Sequence, residues 1–278
     1  MDKETYLIFH NVDGSVSHLK NLLNMEANKY YCLGNLVKKE IKFGSDLEES
    51  FECLDIFRRK NNGILFTGEA ERNLVNMIYD KESQHKSLIN TLIEKPDIEH
   101  LQKGRTVSCI KAIGTYFMPK APNNSFKAED WDENWSNHDE ILKESRKNQK
   151  IEACDLERAE LYDSYEEIIL SLMDYLVWPQ ERDYPRYSFF FMGNRYENAM
   201  WKKVSGDLKL FSTSTNQPEI MKIMLNQKEG PHIITPGSAK HGLFCRFTIP
   251  DMKLELFSEP DFRETREIKK IGFKKKLP

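Results

Sequence analysis

Over the first 80 residues, short apolar runs alternate with amphipathic stretches, and small or polar residues stand at each junction. Tyr6–Phe9 stops at His10-Asn11-Val12-Asp13-Gly14, after which Val16, Leu19, Leu22, Leu23 and Met25 recur on one helical face. That pattern predicts a buried strand, a tight turn centred on Gly14 and a helix with Ser15 at its N-cap. Lys29–Leu33 repeats the strand and runs into Gly34-Asn35, and a helix over about Leu47–Arg59 presents Phe51, Leu54, Ile56 and Phe57. Gly63–Thr67 is a third strand, ending at Gly68-Glu69-Ala70-Glu71 before a helix with Leu74, Val75 and Ile78. Strand, loop and helix in this order predict parallel βαβ units with right-handed crossovers. Ligands of such sheets sit beyond the carboxyl ends of the strands, where His10, Asn11 and Asp13 fall.

The pattern then changes. A helix near His85–Glu94 stops ahead of Pro96, and Thr106–Ile113 and Tyr116-Phe117 read as strands. Residues 119–150 form a polar insertion with Trp131 and Trp135 as anchors, followed by a long amphipathic helix over about Ile151–Val177. Ser188–Met192 is a buried strand leading to Gly193-Asn194-Arg195-Tyr196, its Phe189-Phe190-Phe191 run being sheet core. Beyond it the chain is β-rich, with apolar runs at Leu208–Phe211, His232–Ile234, Leu243–Ile249 and Lys253–Phe257. Ile220–Leu225 reads as more helical.

Composition narrows the function classes. With 39% hydrophobic and 31% charged residues in 278, the chain is expected to be a soluble globular protein. A net charge of −3 gives no general attraction to nucleic acid, and the basic run lies in a solvated tail at about 266–278. The five cysteines are widely spaced, and Cys32, Cys53 and Cys245 lie in apolar runs, as reduced core thiols do. No signal peptide and no apolar run of about 20 residues is present, so a cytoplasmic location is expected.

The strand-end loops Asn11-Val12-Asp13-Gly14, Gly34-Asn35, Gly68-Glu69-Ala70-Glu71 and Gly193-Asn194-Arg195-Tyr196, with Thr235-Pro236-Gly237-Ser238, stand in a telling order. It resembles that of the calcineurin-like metallophosphoesterases, in particular their small bacterial and archaeal phosphodiesterase branch. That family reads Asp-x-His-Gly-Asn, Gly-Asp, Gly-Asn-His-Glu, a lone His-Gly, Gly-His-Thr-His and Asn-Pro-Gly-Ser. The resemblance covers the first ~80 residues and ~60 from Ser188 onward. It implies a two-sheet α/β sandwich with flanking helices: one domain over 1–278, carrying a polar and helical insertion at about 119–187. It also implies a pair of divalent cations about 3.5–4 Å apart that generate a hydroxide nucleophile.

The departures from that pattern carry the functional expectation. The family's first Asp falls on Asn11 and its His on Asp13, and the bridging Asp falls on Asn35. Its Asn-His pair falls on Glu69 and Ala70, its two later histidines fall on Asn194 and Tyr196, and Gly114–Pro119 supplies no isolated histidine. Asn137-His138-Asp139-Glu140 mimics a missing motif, but Ser136 precedes it where the family has Gly, and no strand leads into it. The expected protein keeps the fold, has lost the catalytic centre and needs no cofactor. It acts as a binding or scaffolding module, with a protein partner at the 119–150 insertion or in a homo-oligomer. One alternative is a phosphodiesterase or phosphatase using Mn²⁺ or Mg²⁺ on an oxygen-rich set of Asn11, Asp13, Asn35 and Glu69, with His10 adjacent. Another is a metal-free binder of a phosphorylated small molecule through Arg195, His10 and the amides of Gly14, Gly34 and Gly68. Ser238, His232 and His241 read as turn and satisfied residues, with no nucleophile elbow around Ser238.

Overall fold

The computed structural model describes residues 2–79, 89, 108–110, 115–118, 189–193, 198–204, 207–213, 217–226, 229 and 232–259. Three parallel strands open the chain: β1 (Glu4–Phe9), β2 (Lys29–Cys32) and β3 (Gly63–Leu65). They alternate with α1 (Val16–Leu23), α2 (Gly44–Arg58) and α3 (Glu69–Tyr79). The period-3.6 stripe read from the sequence is the buried face of α1, where Leu19, Leu22 and Leu23 pack with His18. Ser15 does stand at the N-cap, but its Oγ bonds His18 Nδ1 at 2.6 Å instead of a helix amide. Helix α2 begins three residues ahead of the predicted Leu47. The Asp46 carboxylate accepts the Phe43 and Lys42 amides at 2.9 and 3.0 Å and so pulls the turn before Leu47 into the helix. Together with the Lys38 ammonium, foremost among the causes, those bonds hold the Asp46 carboxyl at about 2.

The remaining strands are β4 (Ser108–Ile110), β5 (Thr115–Met118), β6 (Phe189–Met192), β7 (Asn198–Val204), β8 (Asp207–Ser212), β9 (Glu219–Met224), β10 (His232–Pro236), β11 (Leu243–Ile249) and β12 (Lys253–Ser258). They complete two six-stranded mixed sheets, ordered β3-β2-β1-β11-β12-β9 and β4-β5-β6-β10-β7-β8. Alternation along each strand divides the core into two layers. Leu7, Phe9, Tyr30 and Cys32 face α1–α3, while Tyr6, Ile8, Tyr31 and Phe247 meet Phe189, Phe191, Met200 and Ile234 between the sheets. The predicted sheet core at Phe189–Phe191 is fully buried, and Cys32, Cys53 and Cys245 are free and buried as expected.

Ile220–Leu225, expected to be helical, is strand β9 over most of its length. Its register against β12 (Ile220 to Phe257, Met221 to Leu256, Ile223 to Leu254) supplies the reason. Met221 and Ile223 pack toward the inter-sheet core, while Ile220 and Met224, 51% and 68% exposed, lie on the other face of an edge strand. An apolar pair on both faces hides the period of two. The helix expected near 85–94, apart from Ile89, and the helix at 151–177 lie outside the described residues, as do the 119–150 insertion with its tryptophans and the 266–278 tail.

The outer face of β11 and β12 carries one buried carboxylate. Glu255, its side chain 4% exposed, binds Arg246 and Lys253 at 2.7 Å each. Burial alone would raise its carboxyl, but the two cations outweigh burial and hold it below the ordinary value. A depressed folded-state value means that the stability from this group is complete above the unfolded value near 4.3, and is lost as pH falls through the lower folded value. Glu255→Gln is therefore expected to cost about 1–2 kcal/mol at neutral pH. The difference from wild type should shrink below about pH 4, read by urea unfolding across pH. A pH-independent difference would refute this assignment.

Candidate functional site at the strand-end rim

The loop after β1 turns through two left-handed non-glycine residues, Asn11 (φ 52°) and Asp13 (φ 51°), before Gly14 (φ 71°). Asn and Asp tolerate this region better than other side chains, so the same residue types that could serve chemistry also permit the turn. The loop is zipped onto the one after β2: the amides of Asn11, Asp13 and Gly14 donate to the carbonyls of Gly34, Asn35 and Leu36 at 3.0–3.1 Å. Asn35 is itself left-handed (φ 54°).

The loop after β3 is joined to these through Glu71, a residue the sequence reading passed over. Its buried carboxylate accepts four amides, those of Asn35 (2.9 Å) and Gly68 (2.8 Å) on Oε2, and of Leu36 (2.6 Å) and Val37 (3.3 Å) on Oε1. Burial pushes this carboxyl above its ordinary value, against the downward pull of the amides. Asn35 Oδ1 accepts the Ala70 amide at 3.2 Å. Two carboxamide and carboxylate groups thus saturate the junction where loops two and three meet.

From the second sheet, the turn after β10 closes over the β1 loop. Ser238 bridges His10 in parallel, and the amides of Ala239 and Lys240 donate to the carbonyls of His10 and Asn11 at 2.9 and 3.1 Å. Asn11 Nδ2 donates to the fully buried Ser238 Oγ at 2.9 Å, and His241 Nδ1 lies 3.0 Å from the same oxygen. Ser238 is a structural hub of this turn, in keeping with its reading as a turn residue. His10 is buried beside it.

Two lysines, neither of them marked by the sequence reading, answer the carboxylates. Asp13 Oδ2 receives the Lys240 ammonium at 2.5 Å, and Asp13 Oδ1 receives the Lys39 amide at 3.0 Å. Glu69 faces the Lys39 ammonium at 3.6 Å. Asp13 and Lys240 are 227 residues apart, which is why no local signal could join them. Of the sequence-predicted positions, Asn11, Asp13, Asn35, Glu69, Ala70, His10, Gly14, Gly34 and Gly68 come together at this rim. Asn194, Arg195 and Tyr196 lie outside the described residues, as does the Asn137–Glu140 segment.

The described residues of the rim do not fit a two-cation centre. Among the described residues no group of three His, Cys, Asp or Glu side chains is placed to hold a metal ion. Within the alternative set, Asn35 Oδ1 accepts the Ala70 amide, Asp13 and Glu69 each meet a lysine cation, and the Asn11 carboxamide is turned by its Nδ2 bond to Ser238. Two of the three amides of the anion-cradling set are also committed, that of Gly14 to Leu36 O and that of Gly68 to Glu71.

Two mixed sheets packed face to face, helices on the outer face of the first, and a rim of strand-end loops define an α/β sandwich of the metallophosphoesterase type. The solved metallophosphoesterase of Sphaerobacter thermophilus shares it with a TM-score of 0.55 at 11% identity, over 100% of this chain and 96% of that one. A hypothetical protein of Pyrococcus horikoshii aligns with a TM-score of 0.47 at 15% identity, over 99% and 94% of the two chains. No protein-family model matches the sequence, and no curated protein matches it. The likeness is one of fold, and it agrees with the calcineurin-like order of loops in the sequence.

Proposed function

We propose that this chain is a metallophosphoesterase-fold protein without metal-dependent hydrolase activity, serving as a binding or scaffolding module. The observation that carries this reading is the pairing of Asp13 with Lys240. A carboxylate at a metal-ligand position is neutralised by a cation of the protein itself, at 2.5 Å and 22% side-chain exposure. Glu69 with Lys39 repeats the arrangement more loosely. A dinuclear hydrolase needs carboxylates and imidazoles free to bind its cations, and losses in the ligand shell cost large factors in affinity. The partner in this reading is another protein, meeting the 119–150 insertion, or a second copy of the chain in the cytoplasm.

The test is metal content of the full chain before and after dialysis against Mn²⁺, beside hydrolysis of bis-p-nitrophenyl phosphate by wild type and Asp13→Ala. The expected result is no retained metal, and no turnover that distinguishes the two proteins. About two equivalents of metal, with turnover lost in Asp13→Ala, would overturn the reading. One equivalent with slow turnover would replace it with the oxygen-rich hydrolase.

A further inference from the structure

Behind the Thr235–Ser238 turn lies a second polar cluster that the rim chemistry does not use. Asn198 opens β7 and is fully buried, with its amide nitrogen donating to Phe244 O at 2.8 Å and Phe257 O at 2.9 Å. Both donor hydrogens are thereby assigned across to the first sheet, and the carboxamide orientation is fixed by that network. Its remaining atom, Oδ1, is buried without a hydrogen-bond partner, as are Thr213 Oγ1 and Ser258 Oγ.

The registers set these three residues on the facing inner sides of the two sheets. Ala199 pairs with Ser212, so Asn198 and Thr213 are the next opposed positions at the end of the β7–β8 ladder. Met200 and Phe211, two residues further in on each strand, face the inter-sheet core, and alternation puts Asn198 and Thr213 on the same face. Leu254 and Leu256 face that core from β12, which sets Ser258 on the inner face as well, directly after the Phe257 carbonyl that Asn198 binds. The cluster thus spans both sheets. It also underlies the rim: a Cβ on Gly237 (φ 76°) would come within 2.9 Å of Asn198 N and 3.0 Å of Asn198 Cβ.

We infer that Asn198 Oδ1, Thr213 Oγ1 and Ser258 Oγ together hold one internal water molecule that joins the two sheets beneath the Thr235–Ser238 turn. The chemistry matches a neutral ligand with both donors and acceptors. Water donates to the carboxamide oxygen and exchanges hydrogen bonds with two hydroxyls that rotate to suit it, and about three bonds is the usual complement of a buried water. A charged ligand has no counter-charge among these three groups. The water steadies Asn198, and through it the backbone that carries Ser238 and Lys240 onto the β1 loop.

The two alternatives, a hydrated and a dry cluster, move stability in opposite directions. Deleting a hydroxyl that binds water loses hydrogen bonds, whereas deleting a dry, unpartnered hydroxyl relieves a burial cost. Ser258→Ala and the isosteric Thr213→Val, measured separately in the full chain, are each expected to lower Tm by about 2–4 °C. A crystal structure of the wild-type protein is expected to show water density within hydrogen-bonding distance of all three oxygens. An unchanged or raised Tm in both variants would overturn the inference. So would a peak that gains anomalous signal when Tl⁺ replaces K⁺, which would mark a monovalent cation.

Discussion

Replacing Glu71 is expected to do more damage than replacing Asp13 at the same rim. Glu71→Ala removes the acceptor of four amides (Asn35, Leu36, Val37 and Gly68) from a place where water does not reach them. A buried donor left without a partner costs about 1–3 kcal/mol, so the substitution is expected to cost about 4 kcal/mol or more. Against a typical total of about 5–15 kcal/mol, that approaches loss of the folded state. Glu71→Gln is the finer test. It keeps the shape and one acceptor oxygen, but turns an NH₂ group toward two N–H donors, and is expected to cost about 2–4 kcal/mol. Urea unfolding measures both. An unaltered midpoint for Glu71→Gln would mean that the carboxylate does not organise the loops. Asp13→Ala, by contrast, breaks a part-exposed pair with Lys240 and puts Ala at a left-handed φ of 51°, and should cost about 1–2 kcal/mol.

This contrast shows that the rim keeps its shape through bonds that need no cation. The loops after β1, β2 and β3 are held by backbone hydrogen bonds to one another and by Glu71, none of which requires a cation. The second sheet is held to the first at this rim by the Ser238 turn and the Asn198 carboxamide. Substitution at Asp13 therefore changes the charge of the rim while the backbone bonds between its loops remain.

What was legible in the sequence follows the same division. The three strand–loop–helix repeats could be read because each strand is an apolar run ended by a Gly-bearing polar loop, and each helix presents one apolar stripe. The positions of Asn11, Asp13, Asn35 and Glu69 were legible for the same reason, since loop order alone places them at one rim. Strand β9 was not, because Ile220, Met221, Ile223 and Met224 put apolar side chains on both faces, and only pairing with β12 decides the period. Strand β7 went unread as well: Asn198–Val204 mixes Met200 and Trp201 with Lys202 and Lys203, and its place comes from β10. The partners that define the site chemically, Lys240 for Asp13 and Ser238 for Asn11, lie 227 residues away along the chain. Glu71 stood in view as the fourth residue of a recognised loop. Its role depends on three amides from the neighbouring loop, which no pattern within its own loop displays.

The narrowest point of the rim is Gly34, and Gly34→Ala is expected to be the second most damaging substitution. Its φ of 97° lies where an L side chain is strained, and residues held in such regions cost about 1–3 kcal/mol. The new Cβ would also stand 2.9 Å from Gly68 Cα and 3.0 Å from Gly68 N. Those are backbone atoms of the loop that Glu71 clamps, so they cannot swing aside as a side-chain tip could, and overpacking of this kind adds about 1–3 kcal/mol. The combined expectation is about 3–5 kcal/mol of lost stability. Gly63→Ala serves as the comparison, because Gly63 has no left-handed φ and its Cβ would meet Lys60 O and Phe57 Cζ at 3.1 Å. Its cost should be smaller by about 2 kcal/mol. Equal costs at the two glycines would show that loops two and three can separate by a few tenths of an ångström. In that case the close approach of Gly34 to Gly68 would not be what keeps Asn35 and Ala70 in register.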